Sequence, residues 1–199
     1  MHAAVVGSVT GFGAVLAQSL PADLLGGAEG LAVEHRGLAI VVGDDPEPVV
    51  GPLVELTSAQ WAALAEGVIE ATMRTLQRAH AHLRGGGGRI VVVVPTLGIP
   101  GADGLVALTT AVEGVRALAK SAARQWAADE VGVNVVAVPA SLVVPGLVEA
   151  ARHLAPPVVP DAAALTRSVA GAVRYLLGAD APAVVGSTLV VDGGVVMAP

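Results

Sequence analysis

The chain has 199 residues, of which 54% are hydrophobic and 14% charged, with a formal net charge of −6 and no cysteine. That length fits one domain, residues 1–199, with a full core, and the missing cysteine excludes disulfides and thiolate metal sites. An acidic balance without a basic run argues against nucleic acid and anionic membranes, and no run of about 18 apolar residues is free of Pro, Gly or charge, so no spanning helix is expected.

So little charge leaves a monomer short of polar surface, which predicts an oligomer that hides apolar faces. The N-terminus is apolar but lacks a positive leader, and it reads as a first strand, not a signal peptide. A cytoplasmic protein is expected.

In chain order, Ala3–Val6 reads as a buried strand and Gly13–Ser19 as a helix. They are joined by Gly7-Ser-Val-Thr-Gly11-Phe-Gly13. Leu31–Glu34 is followed by the strand Leu38–Val42 after only three residues, whereas parallel neighbours need a crossover of about a dozen. Leu31–Glu34 is therefore an antiparallel edge piece or no strand at all. Gly43-Asp44-Asp45-Pro46 is a solvated turn or a cation site. Ser58–Leu83 is a long helix that Thr57 or Ser58 caps, with apolar residues at helical spacing from Trp61. Gly85–Gly88 ends it. The strand Arg89–Val94 follows, then Asp103 as a helix cap, the helix Leu105–Ala128, the strand Asn134–Val138, the helix Ala162–Leu177 and the strand Thr188–Val191. Short β-branched runs alternating with Ala-rich helices predict an α/β, Rossmann-like three-layer sandwich with a mainly parallel sheet.

Three glycines between a strand and a helix, Gly7, Gly11 and Gly13, serve either of two ends. They open a helix N-terminus to a pyrophosphate, or they let strand and helix pack closely. A dinucleotide site also wants an acid roughly 20 residues on, at the end of the second strand. Glu34 has the spacing to contact a ribose, and it also reads as a solvated turn residue. His80 and His82 flank one alanine on a helix, so they face different ways and form no metal pair.

The glycine loop, the run Gly88-Arg-Ile-Val-Val-Val-Val-Pro95-Thr-Leu-Gly98, the helix Leu105-Val-Ala-Leu-Thr109-Thr-Ala-Val-Glu-Gly114 and the ending Gly186-Ser-Thr-Leu-Val-Val-Asp192-Gly-Gly194 together resemble the short-chain dehydrogenase/reductase family. The likeness is strongest from Trp61 onward. Against the family's pattern, Val68 stands for the helix asparagine, Pro95 for the catalytic serine, Leu105 for the tyrosine and Thr109 for the lysine. The family's Asn-Asn-Ala-Gly is Gly43-Asp44-Asp45-Pro46, whose carboxylates repel phosphates. Only about two dozen residues separate the glycine loop from Leu38, where the family has two further strands with helices. The adenine-side strands are therefore expected to be truncated.

Reduction of a ketone by hydride needs a proton donor at the developing alkoxide and a cation beside it. Leu, Thr and Pro supply neither. The one tyrosine (Tyr175), one lysine (Lys120) and one asparagine (Asn134) lie elsewhere: a packing aromatic, a surface helix position and a structural strand residue. Thr96 and His153, the latter where the family carries its substrate lid, are the remaining improvisers. What the resemblance leaves intact is assembly. Small residues Ala107, Ala111, Gly114 and Ala122 permit close helix approach, and the family forms interfaces through the helices corresponding to 58–83 and 105–128 and through its last strand and tail. The resemblance therefore implies a non-catalytic subunit. It pairs with an active paralogue in a hetero-oligomeric ketoreductase or dehydrogenase on acyl or polyketide-like substrates, with no cofactor, or NAD(P) held weakly by Gly7, Gly11, Gly13 and Glu34. Two alternatives stand beside it: an oxidoreductase with an altered site built on Thr96, Thr109 or His153, and a homo-oligomeric ligand-binding module.

Overall fold

The computed structural model describes residues 2–43, 48–144, 147, 158–159 and 161–197. Six strands form one sheet, and every strand pair in it is parallel. In chain order they are β1 (His2–Val6), β2 (Asp23–Leu25), β3 (His35–Val41), β4 (Gly88–Pro95), β5 (Val131–Val138) and β6 (Thr188–Val190). Across the sheet they run β2-β1-β3-β4-β5-β6. The central strands are almost continuous Val, Ile and Ala because both faces are covered, and Ile90, Val91, Val92, Val93 and Val94 are all fully buried.

Helix α1 (Phe12–Ser19) packs with α6 (Ala162–Leu177) on one face, while α3 (Gly67–Leu83) packs with α4 (Val106–Trp126) on the other. This is the expected three-layer sandwich. The helix expected over 58–83 is a continuous rod in three parts: α2 (Ser58–Trp61), a π-helical turn Ala62–Glu66, and α3. Its start carries a capping box, in which Thr57 Oγ1 accepts from Gln60 N at 3.2 Å and Gln60 Oε1 accepts from Thr57 N at 2.9 Å. A short helix α5 (Ala140–Val143) leaves the end of β5.

The adenine-side edge is truncated, as expected, but one short piece of it survives. Asp23–Leu25 pairs in parallel with β1 through Ala4↔Asp23, Val5↔Leu24 and Val6↔Leu25. A run of three residues opening on an aspartate carries no β-branched signal, so only pairing with β1 reveals it. Only residues 26–34 separate β2 from β3, and no further strand lies among them; Leu31–Glu34 is not in the sheet.

One further reading is corrected. Asp103 does not cap α4, whose N-cap is Leu105 with no side-chain bond; Gly104, at φ +71°, turns the chain between them. The small residues of α4 are also used inside the chain. Ala107, Ala111 and Ala122 are buried in it, and a Cβ on Gly114 would stand 2.9 Å from Ile69 Cδ1 of α3. They bring α4 close to its own neighbours.

Candidate functional site

The chain runs from β1 out to β2 and then crosses back to β3 on the other side of β1. That reversal leaves a crevice at the carboxyl ends of β1 and β3, the place where open α/β sheets bind ligands. A groove of about 240 Å³ lies there, walled by Gly7 and Ser8 after β1, Gly26 after β2, Gly43 after β3, and Thr72 and Thr75 on α3. Gly43 sits at φ +94°, which only glycine adopts without strain.

The structure brings three of the four sequence-predicted binding residues together and leaves the fourth out. Gly7, Gly11 and Gly13 form the turn into α1. A Cβ on Gly13 would meet Gly7 Cα at 3.1 Å, so this glycine serves close strand–helix approach. Gly11 is the helix N-cap, with extended backbone and no side-chain bond. Glu34 lies in the turn just before β3, at the opposite rim of the sheet, roughly 20 Å from the loop at ~3.3 Å per residue. Spacing alone selected it; the strand whose end matters is β2, which ends nine residues earlier.

The acid that does lie beyond β2 is Glu29, on a 3₁₀ turn over Ala28–Gly30. Its carboxylate folds over Gly27 and accepts from Arg78 Nη1 at 3.0 Å. Sequence reading passed over it because nothing marked β2.

On the other side of the crevice, the four altered positions are placed as follows. Val68 is buried on α3, 8% exposed, and Leu105 is buried at the start of α4, 1% exposed. Pro95 closes β4 and is buried with Thr96 behind it. Thr109 is half-buried, and its hydroxyl donates to the carbonyls of Leu105 at 3.0 Å and Val106 at 3.1 Å. These positions present hydrocarbon and a hydroxyl already bonded to its own helix. Asp44, Asp45 and His153 lie outside the described residues.

The remaining polar residues are accounted for by bonds away from the crevice. Asn134 is 1% exposed; its Nδ2 donates to Val184 O at 2.8 Å and its Oδ1 accepts from Ser187 N at 3.1 Å, tying β5 to the approach of β6. Lys120 is exposed on α4 and Tyr175 is 47% exposed on α6. His80 bonds Asp129 Oδ2 at 2.7 Å and stacks on Trp126, while His82 Nε2 donates to His35 O at 3.0 Å. The two histidines do face different ways.

His2, Asp23 and His35 start three adjacent strands and bring their ligand atoms within 4.8 Å of one another. The hydrogen bonding argues against a metal centre. His35 Nδ1 accepts from Ala32 N at 2.9 Å, which assigns its proton to Nε2, and Nε2 donates to Asp23 Oδ2 at 2.9 Å. Neither ring nitrogen keeps a lone pair for a metal. This cluster ties the rim of the sheet together.

The family profile described as enoyl-(acyl carrier protein) reductase matches residues 36–196. Nodulation protein G of Rhizobium sp. (strain N33) is 28% identical over 173 residues, which cover 81% of this chain and 68% of that protein. Among solved structures, acetoin dehydrogenase YohF from Salmonella typhimurium superposes with a TM-score of 0.76 at 20% identity, covering 100% of this chain and 98% of that one. A short-chain type dehydrogenase/reductase from Mycobacterium ulcerans gives 0.72 at 21% identity, covering 97% and 88%.

Proposed function

The chain belongs to the short-chain dehydrogenase/reductase family, and on that premise we propose that it is a non-catalytic subunit. It assembles in the cytoplasm with an active family member, a ketoreductase or dehydrogenase on acyl or polyketide-like substrates, and stabilises it. One observation carries the reading. The family's Asn, Ser, Tyr and Lys positions hold Val68, Pro95, Leu105 and Thr109, three of them buried hydrocarbon and the fourth a hydroxyl engaged by helix carbonyls. Carbonyl reduction needs a proton for the developing alkoxide and a charge that stabilises it. None of these four groups offers either at neutral pH.

The family usually binds NAD(P), and the crevice fits that group at one end only. The groove bounded by Gly7, Gly26 and Thr75, with Glu29 beyond the end of β2, suits the adenosine half. The end where hydride would be delivered lies toward Leu105 and Pro95, whose side chains carry no polar atom. NAD(P) is therefore expected to bind weakly and to undergo no reaction here.

Pairing is supported by outward surface of two kinds. A groove along α3 and α4 is lined by Met73, Gln77, Leu118, Ser121 and Trp126, with no Asp, Glu, Lys or Arg in its lining. The edge strand β6 exposes Leu189.

The test is co-expression with an intact relative that carries Ser and Tyr-x3-Lys and is encoded beside this chain. The two should co-purify, and carbonyl reduction should belong to the complex. If this chain alone reduces a ketone with NAD(P)H, and Thr109→Ala or His153→Ala stops it, the altered-enzyme reading replaces this one. If it forms only homo-oligomers beside that relative, it is a ligand-binding module.

A further inference from the structure

Two cations of helix α4 have no carboxylate beside them. Lys120 and Arg124 are both exposed and stand one turn apart on the same helix face. Among the described residues neither forms an ion pair, whereas Arg74, Arg78, Arg116 and Arg167 each do. The acids nearest to them along the chain are already engaged, Glu113 by Arg116 and Asp129 by His80. Like charges at this spacing weaken a helix slightly. A cation complements the helix dipole only within the last turn. That accounts for Arg124 but not for Lys120, which stands more than a turn before Trp126.

Both side chains line a pocket of about 560 Å³ between the end of α4 and the turn that leads into the edge strand β6. Ala123 and Ala127 of α4, with Val185 and Gly186 of the turn, complete its lining, which contains no acid. Gly186 makes the turn at φ +70°, and its N–H donates to Val133 O at 2.8 Å, so this wall is fixed to β5. Val185 is 43% exposed beside the cations. The pocket joins two positive charges, about 6 Å apart at their Cβ atoms, to an uncovered apolar wall.

We propose that this pocket docks a protein segment that carries two carboxylates one helical turn apart beside an aliphatic side chain, supplied by the active relative. The identity of the supplier rests on the pairing reading above; the chemistry of the pocket does not. Glutamates at i and i+4 of a partner helix match the spacing of the two cations, and an aliphatic residue between them covers Val185. Exposed ion pairs add little affinity by themselves but set register and rate of encounter. Two cations over an apolar wall, on a chain of net charge −6, do not suit a long polyanion such as nucleic acid.

The probe is a helical peptide with two glutamates at i and i+4 and a leucine between them, titrated into the isotope-labelled full chain and followed by NMR. The amide signals of residues 120–127 and 185–186 should shift saturably at millimolar peptide. The shifts should vanish in about 0.5 M salt, with glutamine in place of both peptide glutamates, and in the double variant Lys120→Glu, Arg124→Glu. Both positions are exposed, so that variant should keep the wild-type Tm. A wild type without saturable shifts at these amides overturns the proposal, and so do shifts that survive the double reversal. In the complex, the same reversal should weaken association by roughly tenfold or more. An undiminished complex overturns the proposal and leaves the pairing reading standing. Failure of the wild type to pair with that relative overturns the pairing reading and the relative as supplier, while the peptide titration decides the pocket.

Discussion

Thr109 shows how a residue of suitable chemistry is disarmed by its neighbours. Its hydroxyl bonds back to the carbonyls of Leu105 and Val106, a common habit of threonine within helices. Recruiting it as an acid would break those bonds and still leave a group whose proton is not available at neutral pH. Thr109→Ala and Thr96→Ala should accordingly leave turnover of the proposed complex within about twofold, since neither group lowers the barrier to the chemical step; steady-state rates of the purified complex check this. Gly13 is the opposite case, a residue with no side chain whose replacement matters. With Gly7 Cα 3.1 Å from where its Cβ would stand, Gly13→Val should cost about 1–3 kcal/mol by overpacking. At this chain length that lowers Tm by several degrees, at roughly 2–4 °C per kcal/mol, and differential scanning calorimetry reads it.

Among the elements, the α3–α4 pair separates packing within the chain from packing between chains. Gly114 faces Ile69, and Ala111 is fully buried, so a large residue at either position disturbs the monomer first. Leu118 and Ser121 instead line the outward groove. Ser121→Arg, at an exposed position in that groove, should abolish co-purification with the active relative while leaving Tm of the isolated chain nearly unchanged. Gly114→Leu should lower Tm as well as pairing. Size-exclusion chromatography beside thermal denaturation distinguishes the two. The rod over 58–83 depends at its start on the reciprocal Thr57–Gln60 cap. Thr57→Ala should cost about 1 kcal/mol, measurable as a shift in the urea midpoint with m unchanged.

For the whole molecule, the proposed function implies a division of labour between chains. The sheet apart from its truncated adenine-side edge, both helical layers and the closing turn are kept; in that turn Asp192 accepts from the amides of Gly194 at 2.9 Å and Val196 at 2.7 Å. The family's four catalytic positions hold Val68, Pro95, Leu105 and Thr109. On the proposed reading, such a chain contributes through the surfaces it offers. Removing this chain should lower the yield and thermal stability of its active relative, because binding that favours the folded state raises apparent stability by mass action. Deleting residues 195–199 should lower turnover of the complex while leaving assembly intact, which kinetics and chromatography of the truncated complex test together.

The sequence by itself determined the class of fold, the long helices and the four altered positions. Those signals are local: β-branched runs for doubly covered strands, 3.6-residue spacing for helices, and residue identities at motif positions. Ser58–Leu83 and Ala162–Leu177 were legible to the residue, the first because a cap and an apolar stripe announce it, the second from its Ala-rich run alone. Only the tertiary structure decided that Asp23–Leu25 is a strand, since three residues with little intrinsic preference become one by pairing with β1. That pairing in turn decided which acid follows the second strand. Glu34 has the right spacing and lies at the opposite rim of the sheet, while Glu29 follows a strand no local pattern shows. It likewise decided that Gly114 packs against Ile69 of α3, because a helix periodicity marks a small-residue face but does not say whose side chains will cover it.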